Sequence, residues 1–94
     1  MEKYAVFTDI HNETYCYYKK SEIDLAFKNL ESGQAATLRQ YDALNDEVSF
    51  EKEYSNDRYF RRFKAVEWVN LEDLKESVKA ALEMREQLEN GDFD

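Results

Sequence analysis

Two helices are bracketed at both ends by the chain's own punctuation, and this leaves little freedom for the rest. The sequence has no proline and two glycines, Gly33 and Gly91. Upstream of each stands a start signal, Ser21 with Asp24 three residues on and Asn70 with Asp73 three residues on. At that spacing a side-chain oxygen can take up a free first-turn N–H, and an acidic residue complements the positive end of the helix dipole. Glycine then closes a helix because it enters left-handed backbone without a Cβ clash. The first predicted helix, 22–32, sets Ile23, Ala26, Phe27 and Leu30 on one face, with Leu25 turned away. The second, 71–90, aligns Leu71, Leu74, Val78, Ala81, Leu82 and Leu88 in a stripe flanked by Glu72, Asp73, Glu76 and Glu83.

Elsewhere the period shifts towards two and aromatic and β-branched residues accumulate, which predicts strands. Residues 4–10 and 15–19 flank the polar turn His11-Asn12-Glu13-Thr14 as a hairpin. A third strand is expected over 34–43. Val48, Phe50 and Tyr54 alternate with Glu47, Glu51 and Glu53, a strand pattern with a helix over 48–54 as its competitor. Ser55-Asn56-Asp57 then turns the chain into a long strand, 58–69. The expected fold is α+β in the order ββα-βββ-α, a mainly antiparallel sheet with both helices packed on one face.

Ninety-four residues make one small domain, 1–94, with one core. Neither a linker nor a repeat divides it. The chain carries 21 acidic and 13 basic residues, a formal charge of -8, and 36% of its residues are charged. Its core must therefore be thin, relying on Tyr and Trp68 to bury rings while their polar ends stay near the surface. A single cysteine, Cys16, excludes an internal disulfide, and Met-Glu-Lys-Tyr shows no apolar signal run, so the cytoplasm is the expected compartment. No apolar run is long enough to cross a membrane.

Sites of catalysis are sparse. Val6 to Asn12, a strand ending in Asp9-Ile10-His11, resembles the first metal-binding motif of calcineurin-type metallophosphoesterases, which implies Asp9 and His11 as ligands in a two-metal centre that activates water. Such a centre needs further His ligands, and His11 is the only histidine. Cys16, set among Tyr15, Tyr17 and Tyr18, reads as a small buried hydrophobe. A Cys16–His11 pair across the hairpin would lack an evident oxyanion donor or cleft. Two glycines cannot build a phosphate loop. The reading is therefore of a chain that is no enzyme and holds no metal or cofactor.

Charge is sorted rather than mixed. Arg58, Arg61, Arg62 and Lys64 share one seven-residue run with Tyr59, Phe60 and Phe63, although the chain as a whole is strongly acidic. Cations and aromatics on a strand are the ingredients of sheet-based binders of single-stranded nucleic acid, here Tyr59, Arg61, Arg62, Phe63 and Lys64. On a strand, however, Phe60, Arg62, Lys64, Val66 and Trp68 would face one way and Tyr59, Arg61, Phe63, Ala65 and Glu67 the other. Cross-strand pairing of Arg61 and Arg62 with Glu51 and Glu53 is the plainer expectation.

The acidic balance points to a different partner. In size, charge and lack of catalytic residues the chain resembles inhibitors encoded by phages and mobile elements, which occupy the nucleic-acid groove of a host defence enzyme. That resemblance implies protein binding by DNA mimicry, because closely spaced carboxylates can replace a row of phosphates. The candidate surface is Glu47, Glu51, Glu53, Glu72, Asp73, Glu76 and Glu83, joined by Glu13 and Glu86. Lys75 and Lys79 interrupt the helical row and pair by spacing with its glutamates.

Overall fold

The computed structural model describes residues 1–9 and 14–89, the side chains of Thr8, Asp9, Thr14 and 85–89 excepted. The elements run β1 (Tyr4–Asp9), β2 (Thr14–Lys19), α1 (Lys20–Glu31), β3 (Ala36–Asp42), β4 (Glu47–Tyr54), a short 3₁₀ helix (Arg61–Lys64) and α2 (Leu71–Glu89). This is the α+β class expected, built on an antiparallel sheet in the order β1-β2-β3-β4. Residues 47–54 are a strand, not a helix.

Phase along the strands assigns the two faces. Val6 pairs with Tyr17, which pairs with Tyr41, while Phe7 pairs with Cys16. Successive side chains point to opposite sides, so each face has its own cluster. One holds Cys16, Tyr18, Ala36 and Leu38 with Ile23 and Ala26 of α1. The other holds Tyr17, Tyr41 and Ala43 with Leu74 of α2, and Tyr4, Val6, Tyr15 and Val78 pack around it. The two helices thus serve opposite faces, contrary to the one-face packing expected. The reason is that β1 and β2 set aromatic or apolar residues on both sides, Tyr4, Val6, Tyr15 and Tyr17 on one and Phe7, Cys16 and Tyr18 on the other, so each side requires a cover.

The long strand expected over 58–69 is absent. Arg58 to Phe60 form a turn, Arg61–Lys64 a 3₁₀ helix, and only Val69 bridges to Tyr4, through Tyr4 N–H to Val69 C=O at 2.8 Å and Val69 N–H to Tyr4 C=O at 2.7 Å. Tertiary burial overrides the period-two reading. In the 3₁₀ turn Phe60 and Phe63, three apart, lie on one side, and both are buried in the α1-side cluster. Phe60 has no exposed surface and meets Phe27, Tyr54 and Phe63 at ring separations of 6.0, 5.9 and 6.3 Å. A strand would have thrown one of the two rings into solvent.

Helix ends are set as much by partners as by local signals. Gly33 closes α1 at φ +76°, with Gly33 N–H bonded to Leu30 C=O at 3.1 Å and Gln34 N–H to Asn29 C=O at 2.8 Å, the pair of bonds that satisfies the last free carbonyls. At the other end the expected Ser21 cap is replaced. The helix begins two residues earlier than expected, at Lys20, and the Glu2 carboxylate accepts both the Ser21 N–H at 3.1 Å and the Ser21 hydroxyl. Asn70 caps α2 as expected, accepting the Asp73 N–H at 2.9 Å. Gly91 lies outside the described residues.

The α2 stripe is narrower than the sequence implied. Leu74 and Ala81 are buried and Val78 half-buried, but Leu71 keeps 46% of its surface and Leu82 48%. The helix lies against β1 and the Tyr17–Tyr41 pair, whose rings stack at 5.0 Å. That ground is narrow, and one line of α2 residues covers it.

Candidate functional site

The thirteen basic residues are partly spent inside the fold. Arg62 spreads its guanidinium over Phe7, Tyr18 and Phe63 at 5.2, 5.3 and 4.9 Å and donates to the Tyr18 hydroxyl at 2.9 Å. Arg61 pairs with Asp57 at 3.1 Å, and that hydrogen bond holds the Asp57 carboxyl below its usual range. Lys64 lies 5.5 Å from the Phe27 ring centre. Of the aromatics proposed as a base-stacking platform, Phe63 is buried, and Tyr59 is exposed but leans on Tyr54 at 4.4 Å. The run that looked like a nucleic-acid surface is therefore largely a clamp across the core.

The expected pairing of Arg61 and Arg62 with Glu51 and Glu53 does not form. Arg39, which sequence reasoning passed over, takes that role: its Nε donates to Glu51 at 2.6 Å and its Nη1 meets Glu22 at 3.1 Å. The Glu51 hydrogen bond, then that of Tyr41, raises the Arg39 pKa above its ordinary value. The signal was present in register, since Arg39 sits directly opposite Glu51, but reading it required the turn between the strands to be placed first. In that turn Asp42 accepts the Leu44 N–H at 2.8 Å, and Asp46, at φ 56°, accepts the Tyr17 hydroxyl.

The acidic candidates fall on two elements. Glu72, Asp73, Glu76 and Glu83 are exposed along α2, and Glu47, Glu51 and Glu53 are exposed along β4. None of these on α2 reaches Lys75 or Lys79 within ion-pair distance, contrary to the pairing expected from spacing, and neither Glu47 nor Glu53 has an ionic partner among the described residues. Long side chains on a solvated helix gain little by pairing and lose rotamer freedom. Glu13 lies outside the described residues, and the Glu86 side chain is not described.

β4 forms one edge of the sheet. Its side chains are exposed along the strand up to the half-buried Tyr54, Val48 to 52% and Phe50 to 41%. A bulge between the partners of Gln40 and Tyr41 leaves Ser49 out of the ladder. It puts Val48 on the side of Tyr41 and leaves Phe50, Lys52 and Tyr54 together on the side of Gln40, Leu38 and Ala36.

Asp9 ends β1, and His11 lies outside the described residues. Among the described residues no three His, Cys, Asp or Glu side chains are arranged to hold a metal ion. Burial pushes the Cys16 thiol above its ordinary pKa, which opposes formation of the nucleophilic thiolate. Among the described residues no helix is long and apolar enough to cross a membrane. No protein-family model, curated protein or solved structure matches the chain.

Proposed function

We propose that this chain is a non-enzymatic protein-binding domain that works through its acidic surface and inhibits a nucleic-acid-handling enzyme of the host-defence kind. The observation that carries the reading is the excess of free carboxylates on α2 and β4, which outnumber the free cations Lys75 and Lys79 that share α2. Arg39, Arg61, Arg62 and Lys64 are engaged within the fold, whereas Glu47, Glu53, Glu72, Asp73, Glu76 and Glu83 stand exposed with no ionic partner among the described residues. Free carboxylates project a field that steers a basic partner and repels nucleic acid. On α2, Glu72 and Glu76 are separated by a rise of about 6 Å, close enough to act together on a groove built to hold phosphates. The reading puts the domain in the cytoplasm, in keeping with its lone, buried Cys16 thiol.

The test is reversal of sign at positions that carry no core. Replacing Glu72, Glu76 and Glu83 with Lys is expected to leave the fold intact and to abolish inhibition of nucleic-acid-cleaving enzymes by the added protein. The panel would be purified host nucleases assayed on labelled DNA. Inhibition unchanged by the triple reversal would overturn the acidic-surface reading. So would micromolar binding of the free domain to an oligonucleotide, lost in Arg61→Ala with Arg62→Ala, which would install a nucleic-acid module in its place.

A further inference from the structure

The backbone of β4 adds a second property to its charge. Ala43 N–H bonds to Tyr15 C=O at 3.0 Å, so the odd-numbered residues of β3 turn their backbone groups towards β2 and the even-numbered ones towards β4. The partners of those even residues, Phe50, Lys52 and Tyr54, accordingly bond inward. Glu51 and Glu53 turn their N–H and C=O groups outward, at a sheet edge that no other strand covers among the described residues. The same two residues carry their carboxylates on one face, while Phe50, Lys52 and Tyr54 occupy the other.

We infer that β4 is a docking edge for an extended basic segment of a partner protein, which adds as a fifth strand through the outward backbone groups of Glu51 and Glu53. The inference rests on the protein-binding reading above and narrows it to one element and one partner chemistry. Register specifies the segment. Directly opposite residues share a face, so the positions facing Glu51 and Glu53 take Lys or Arg, the one between them, facing Lys52, takes a neutral polar residue, and the one facing Phe50 takes an apolar residue. Arg39 satisfies part of the Glu51 charge and leaves Glu53 and Glu47 unpaired among the described residues.

A second copy of the chain fits poorly. Antiparallel pairing of β4 with itself about a twofold axis sets one residue opposite itself. Centred on 51, 52 or 53 it opposes Glu51, Lys52 or Glu53 to its own copy. Centred on 49 or 50 it would have to run through the bulge at Ser49, which breaks a regular ladder. Like charges directly opposed destabilise a pair, so the sequence of β4 guards the edge against self-association and leaves it open to a strand of the other sign.

The experiment is titration of the intact domain with a synthetic peptide, Thr-Val-Lys-Thr-Lys-Val-Thr, read by amide NMR shifts and hydrogen exchange, with a control in which Glu replaces both Lys. Saturable shifts confined to 48–54, slower exchange at the Glu51 and Glu53 amides, and weakening with salt are expected, and no binding by the control. Glu53→Pro removes an outward donor and no ladder bond, a replacement edge strands tolerate. It should bind about ten-fold more weakly than Glu53→Gln, which loses the same charge but keeps the donor. Equal binding by Glu53→Pro and Glu53→Gln, at equal urea midpoints, would overturn strand addition, as would basic-peptide shifts that map to α2. If β4 fails while reversal of Glu72, Glu76 and Glu83 still abolishes inhibition, only this inference is lost. If the peptide binds β4 and that reversal changes nothing, the strand site stands and the groove-mimic reading falls.

Discussion

Phe60→Ala should be the most damaging substitution in the basic-aromatic run, although its neighbours carry the charge. Phe60 is completely buried between α1, Tyr54 and Phe63. Truncating such a ring costs about 3 to 5 kcal/mol, from lost transfer free energy and from the cavity left behind. A domain of this size holds only about 5 to 15 kcal/mol in all. With a urea m-value of about 2 kcal/mol/M the midpoint should fall by about 2 M. Urea titration followed by Trp68 fluorescence is well suited to the measurement, since that ring stacks on Phe63 at 6.2 Å. Leu82→Ala is the matched control. Leu82 already exposes about half of its surface, so its loss should cost under about 1 kcal/mol. If Phe60→Ala fails to fold, Phe60→Leu supplies a milder step of about 1 kcal/mol. A larger loss at Leu82 than at Phe60 would refute the packing described for both the 3₁₀ segment and α2.

Three further outcomes follow from the polar contacts. Arg62→Ala should cost about 1 to 2 kcal/mol, because the guanidinium covers three rings and its aliphatic stem packs as well; an unchanged urea midpoint would show those contacts to be idle. Burial pushes the Tyr18 phenol up to about 12, so the fold gains from the protonated ring below the ordinary value near 10 and loses that gain as pH rises from about 10 to 12. Tyr18→Phe should lessen the fall in thermal stability across that window, the remainder being carried by Tyr17, whose phenol burial also raises, and an identical alkaline decline would contradict the assignment. Glu2 is partly desolvated, which opposes its ionisation, yet the Ser21 hydroxyl and amide, then the Lys3 amide and Lys19, bring its carboxyl below the ordinary value. Its stabilising effect is therefore present at neutral pH and fades as pH falls through the acid range, so Glu2→Gln should lower the midpoint slightly at pH 7 and not at pH 3.

Local rules were enough for part of this molecule. The α+β class, the two helices, the glycine stop at Gly33 and the Asn70 cap follow from periodicity and from side-chain oxygen and Cβ geometry, which act over three to five residues and need no tertiary partner. The exposed glutamates were legible for the same reason, since charge is a property of the residue. Three features came only from long-range packing. The 58–69 run became a turn and a 3₁₀ helix because Phe60 and Phe63 bury together there, and alternation along the chain carries no information about which rings share a pocket. The helices took opposite faces because β2 presents rings on both sides, Tyr17 on one and Tyr18 on the other. The edge site on β4 depends on which backbone groups point outward, a phase set by the β2–β3 ladder. Sequence determined what each residue can do, and the sheet register decided which of them act together, because pairing is chosen by the whole core and not by any one strand.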